Sequence, residues 1–94
     1  MLYEYDEPTS DMEVMMGAYL HLKSGYVDSY DPVITLEITS TQVKINNACY
    51  DYVIELSDVL KIEMCKRNPQ YDEDIDILEY IDSDIVTIWE NTNV

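Results

Sequence analysis

PVITLEITSTQVKINNACYDYVIEL, residues 32–56, decides the fold. Ile34, Leu36 and Ile38 alternate with Thr35, Glu37 and Thr39, the period-two pattern of a half-buried strand. Val43 and Ile45 continue the alternation in the opposite phase, which requires a turn or bulge near Ser40–Gln42. Asn46–Asn47 signals a second turn, because asparagine tolerates left-handed backbone. Tyr50, Tyr52, Ile54 and Leu56 then form the next inward face.

Downstream, Ser57–Asp58 interrupts the pattern, and Leu60, Ile62 and Met64 resume it. Lys66–Tyr71 (KRNPQY) reads as a loop, since Pro69 excludes a central strand. In the last unit Ile75, Ile77, Glu79 and Ile81 share one face, and Asp76, Leu78 and Tyr80 the other. Asp82-Ser83-Asp84 reads as a hairpin turn, Ile85 to Trp89 as the return strand, and residues 91–94 as a tail.

Upstream, residues 12–22 fit two templates. Met12, Met15, Met16, Tyr19 and Leu20 make a helical stripe, with Ser10 and Glu13 as a capping box in front. Val14, Met16, Ala18, Leu20 and Leu22 equally alternate as a strand, and Gly17 weakens the helix by about 1 kcal/mol. Residues 1–11, acidic and carrying Pro8, read as a loose arm that Tyr3 and Tyr5 could pin. The fold class expected is mainly β: about six antiparallel strands in a small barrel, roll or sandwich. The alternative is α+β, with one short N-terminal helix around residues 11–23. Residues 1–94 make one acidic domain.

The abnormal quantity is charge. Twenty Asp and Glu face five Lys and Arg, giving a formal net charge of −15, while the hydrophobic fraction of 47% is that of a folding chain. Unpaired carboxylates are too costly to bury, so most must be solvated. Solubility alone accounts for such a surface in the plainest reading. Yet self-repulsion destabilises a compact state, and a field that repels nucleic acid and anionic membrane attracts basic surfaces. The commonest basic surfaces are nucleic-acid-binding clefts.

Chemistry of other kinds finds little support. His21 is the only histidine and stands near no nucleophile motif; GxGxxG, GxxxxGK[ST] and HExxH are absent, so no catalytic or cofactor-binding residue is assigned and no cofactor expected. Cys49 and Cys65 do not make a disulfide framework or a zinc cluster and are expected to be buried free thiols. Asp72, Asp74 and Asp76 have the spacing of an EF-hand loop, but Ile77 and Ser83 stand where glycine and glutamate belong, so no metal site is assigned. Lys66–Arg67 reads as a solvated two-residue island. The N-terminus has no basic region of a signal peptide, no apolar run approaches the ~20 residues of a span, and a cytoplasmic location is expected.

The candidate site is the C-terminal acidic density. Residues 72–90 carry Asp72, Glu73, Asp74, Asp76, Glu79, Asp82, Asp84 and Glu90, and no base. In an extended segment Asp72, Asp74 and Asp76 would form a row of like charges roughly 6.6 Å apart. Tyr71, Tyr80 and Trp89 flank it, and Tyr and Trp dominate binding hot spots. Glu4, Asp6, Glu7, Asp11 and Glu13 form a second cluster, continuous with the first if the two ends meet in space. The expected role is an acidic protein-binding inhibitor that occupies the basic, nucleic-acid-binding surface of a partner such as a nuclease complex. It would bind neither nucleic acid nor membrane, and a homodimer is allowed. The alternative is a small structural or assembly protein, of a phage or mobile element, that oligomerises through its strands.

Small size, excess acid and many tyrosines make the chain similar in profile to phage-encoded inhibitors that imitate DNA, including many anti-CRISPR and anti-restriction proteins. The likeness is one of composition over the whole chain and aligns no particular residue. It implies blockade of a nuclease's DNA-binding cleft, without a cofactor, in the host cytoplasm.

Overall fold

A computed structural model describes residues 1–92. Eight strands follow in chain order: β1 (Leu2–Glu4), β2 (Met15–Leu22), β3 (Val27–Tyr30), β4 (Thr35–Ile38), β5 (Gln42–Asn46), β6 (Asp51–Glu55), β7 (Val59–Asp72) and β8 (Ile77–Glu90). They form two antiparallel four-stranded sheets, ordered β1-β4-β5-β6 and β3-β2-β7-β8. Neither sheet closes into a barrel, so of the expected architectures the sandwich stands, with eight strands in place of six.

The stretch 32–56 builds β4, β5 and β6 in the expected way. Leu36 lies opposite Ile45 and Ile38 opposite Val43; Val43 in turn faces Ile54, and Ile45 faces Tyr52. These cross-strand apolar pairs hold the register. Thr39 Oγ1 accepts the Gln42 amide at 3.0 Å and closes the first turn. Asn47 Oδ1 accepts the amides of Cys49 (3.1 Å) and Tyr50 (2.8 Å) and closes the second, while the left-handed residue is Ala48, with φ 79°. Tyr50 is consequently exposed and not part of the inward face. Leu56–Asp58 forms a single 3-10 turn at the expected interruption.

Residues 12–22 resolve as strand, and the helical alternative fails. As β2 this segment pairs with β3 on one side and β7 on the other, and buries Ala18 and Leu20 completely. A helix would have buried Met12, which is exposed. The capping-box residues fold a local turn instead: the Glu13 amide donates to the Ser10 carbonyl at 3.3 Å. The N-terminal arm is loose only in part. Leu2–Glu4 is the edge strand paired with β4, and Tyr3 and Tyr5 pack against the core.

The core draws Ala18, Leu20, Ile62 and Met64 from one sheet and Leu36, Ile38, Val43 and Ile45 from the other. The two inner faces pack against each other around this shared core. The tail expected at 91–94 falls partly outside the described residues; Asn91 itself is tied to β7, its amide donating to the Leu60 carbonyl at 2.8 Å.

The C-terminal half departs most from expectation. Lys66–Tyr71 is not a loop but the middle of β7, and Asp82–Asp84 is not a turn but part of β8. Pro69 lies opposite Tyr80, beyond the last β2 pair (Met15 with Arg67), where β7 has a single neighbour and a proline is tolerated as on an edge strand. The turn chemistry of Asp82-Ser83-Asp84 is used for a β-bulge: Met64 faces Val86 but Lys66 faces Ser83, and Asp84 has φ 51°. A second bulge follows, where Ile62 faces Trp89 and Glu63 faces Thr87. The true hairpin turn is at residues 73–76, with Asp76 at φ 52°.

Candidate functional site

Past Arg67 the strands β7 and β8 run on alone as a two-stranded ribbon, from the Asn68–Ile81 pair to the Asp72–Ile77 pair. Five residue pairs at about 3.3 Å each project the ribbon by roughly 17 Å. The molecule is accordingly elongated, 48 × 24 × 20 Å. Residues opposite one another share a face. Gln70, Asp72, Ile77, Glu79 and Ile81 therefore line one side, and Pro69, Tyr71, Leu78 and Tyr80 the other.

At the tip the expected extended row of Asp72, Asp74 and Asp76 is replaced by a turn. The Asp74 amide donates to Asp72 Oδ1 at 2.9 Å, and the Tyr71 hydroxyl donates to the Asp76 carboxylate, which holds the Tyr71 phenol above its usual pKa. The turn gathers Asp72, Glu73, Asp74 and Asp76 at one end, with Glu79 one step back along the ribbon. Among the described residues no group of His, Cys, Asp or Glu is placed as a set of metal ligands.

Tyr80, opposite Pro69 near the root of the ribbon, links the ribbon to the second acidic cluster. Its hydroxyl donates to the Asp11 carbonyl at 3.0 Å, across 69 positions of sequence. The loop so docked carries Asp6, Glu7, Asp11 and Glu13. Thr9 donates to Glu13 through its hydroxyl (2.6 Å) and its amide (3.0 Å), pulling that carboxyl below the usual range and keeping it ionised. The loop of the second acidic cluster thus touches the ribbon at Tyr80, on the face opposite Asp72 and Glu79.

The remaining expected members do not join them. Asp82 turns to the outer face of the sheet, where it accepts from the Tyr19 hydroxyl and faces Arg67 Nε at 3.5 Å. Asp84 pairs with Lys66 at 3.4 Å on the surface. Glu90 lies opposite Lys61 at the far end of β8. Trp89 is half-buried against the core, not beside the acidic tip.

That outer face holds a network the sequence reading missed. Arg67, only 14% exposed, is no solvated island. Its guanidinium donates to Asp31 and, at 2.7 Å, to Ser29 Oγ, and lies 5.1 Å from the centre of the Tyr19 ring. Gly17 makes room for it: a Cβ there would meet Arg67 Nε at 2.7 Å. A glycine inside a strand pattern marks such close approaches and was the available signal. Cys65 is buried beside this network, its thiol pushed up by desolvation, whereas Cys49 is exposed, against the expectation that both are buried. His21 contacts Glu63 on the same face.

No helix among the described residues is long and apolar enough to cross a membrane. Compared with family models, curated proteins and solved structures, the chain matches none.

Proposed function

We propose that this protein is an acidic inhibitor that inserts its projecting end into the basic, nucleic-acid-binding surface of a partner protein such as a nuclease complex. One observation supports this above the others. The Tyr80–Asp11 hydrogen bond ties the loop that carries Asp6, Glu7, Asp11 and Glu13 to the ribbon that carries Asp72, Glu73, Asp74, Asp76 and Glu79, with no basic residue in either segment. A slim ribbon with carboxylates at its tip fits a cleft built for phosphates. Exposed Tyr71 and Tyr80 add aromatic contact next to the charge. Asp82, Asp84 and Glu90, each facing a base, leave the contact set.

The test is a titration into DNA-cleavage reactions of nucleases that grip DNA through Lys- and Arg-rich clefts, RNA-guided effectors among them. Inhibition should weaken steeply between about 50 and 200 mM salt, and excess DNA should relieve it. Combined Asp72→Asn, Asp74→Asn and Asp76→Asn changes should abolish it. Inhibition indifferent to salt and to those changes, or no nuclease inhibited, would overturn the reading. The alternative, assembly through strands, is favoured by the open edge of β8. It requires a defined oligomer in light scattering that persists at high salt.

A further inference from the structure

β8 is the outermost strand of its sheet, fourteen residues long, and among the described residues no strand neighbours its outer side. Ile81, Ile85 and Val86 on it are exposed. Such an edge is a template for another strand, and proteins usually guard it with lysines, prolines or bulges. Here the guards are two bulges and the net charge: β8 has no lysine, arginine or proline, its Asp82, Asp84 and Glu90 each face a base on β7, Glu79 faces Gln70, and the whole chain carries −15. That guard is selective in sign. It repels a second copy, which would bring another formal charge of −15, and it admits a basic strand.

Beside the edge runs an apolar groove of about 340 Å³, between β8 and the other sheet's edge strand β1. Tyr3, Tyr5, Met16, Met64, Val86 and Ile88 line it, and the exposed Lys66–Asp84 pair stands at its rim. A strand added to β8 would have alternate side chains on this side of the sheet, within reach of the groove.

We propose that β8 captures an extended, lysine- and arginine-rich segment of the partner as an added strand, with one of its apolar side chains seated in the groove. The inference rests on the reading that the partner presents a basic surface, and it names how that surface is held. Charge brings the segment in; backbone hydrogen bonds and the groove hold it.

The probe is a peptide of about ten residues alternating lysine with valine and tyrosine, compared with a twin N-methylated at every internal amide. Both have the same charge, but the twin can pair on neither edge. The unmodified peptide should bind, and the twin should bind about tenfold more weakly, the worth of one or two backbone hydrogen bonds. Hydrogen exchange should slow at the β8 amides on binding. Val86→Ser, at an exposed position on the groove, should weaken the peptide about fivefold with at most a small shift in Tm.

Equal binding by the two peptides overturns strand capture and leaves a basic partner standing, because charge alone then suffices. Binding by neither peptide while nucleases are still inhibited does the same. Protection that appears away from β8 also overturns it. So does slowed exchange at β8 in the free protein together with a dimer by light scattering, since the edge then belongs to a second copy. Loss of both peptide binding and nuclease inhibition overturns the function proposed above as well.

Discussion

The body of the sandwich and its projecting ribbon are made from the same kinds of residue and end in opposite states. In the body, Leu20, Leu36, Val43, Ile45 and Ile62 are fully buried between two sheets. In the ribbon, Tyr71, Ile75, Ile77, Tyr80 and Ile81 face solvent, with Ile75 60% exposed. Alternation of apolar and polar residues says that a segment is a strand; it does not say whether anything covers it. A two-stranded ribbon in isolation is at best marginally stable in water. Here it is held by continuity with the long strands of the body and by the Tyr80–Asp11 hydrogen bond. The body therefore supplies stability and the ribbon displays surface.

The largest effect should come from cutting into the body. Leu36→Ala removes a fully buried side chain from the centre of the sandwich and should cost about 2–5 kcal/mol, enough to unfold much of so small a domain. Ile77→Ala at the exposed root of the tip should stay within about 0.5 kcal/mol. Urea titrations of the two variants measure the contrast. Equal losses would mean that the ribbon is packed after all.

Arg67 stands at the junction of the two regions, and its removal should rank second. Arg67→Met keeps the aliphatic stem but leaves Asp31 and Asp82 without their cation, and takes the guanidinium from the Tyr19 ring. Both carboxylates retain access to water, so the expected cost is about 1–3 kcal/mol, less than for a fully buried pair. Gly17→Ala, which pushes on the same side chain from below, should shift Tm in the same direction by less. A body indifferent to Arg67→Met would show that the network is ornamental.

Alkaline pH should separate the regions more gently. Tyr19 is held above the ordinary tyrosine pKa of 10.0 by its hydrogen bond to Asp82 and by burial, and Tyr5 and Tyr30 chiefly by burial. A raised folded pKa gives stability that is complete below the unfolded value and lost as pH climbs through the folded one. Tm should hold up to about pH 9 and fall as pH passes about 10 and higher. Tyr71 is also raised, but on the exposed ribbon, so Tyr71→Phe should leave that fall in place. Thermal melts followed alongside phenolate absorbance check both statements.

Sequence patterning sufficed where local signals and tertiary packing agree. For β4 to β6, apolar alternation, a Thr39 turn and an Asn47 turn all point the same way. It failed along β7 and β8 because turns and bulges draw on the same residues. Asp76 and Asp84 both have positive φ, yet one closes a hairpin and the other bends a strand. Pro69 punctuates like a loop and sits on a free edge, and fourteen-residue strands exceed the usual three to ten. For the acidic site, sequence located every carboxylate but not its freedom. Asp82 and Asp74 look alike in the chain, and only the fold turns one of them onto Arg67 and the other into water.

The smallest effect on stability should carry the clearest functional sign. Asparagine in place of Asp72, Asp74 and Asp76 retains the acceptor oxygens used by the Asp74 amide and the Tyr71 hydroxyl, and it tolerates the positive φ of Asp76. The turn should therefore keep its shape while three like charges vanish from one end of a chain carrying −15. Relief of repulsion should raise stability by a few tenths of a kcal/mol at low salt, and less at high salt where the charges are already screened. Binding to a basic partner should move the other way. Opposite signs in one variant mean that the charge is kept at a cost to folding and put to use in contact. Matching signs, with stability and binding both falling, would mean that these carboxylates hold the tip together.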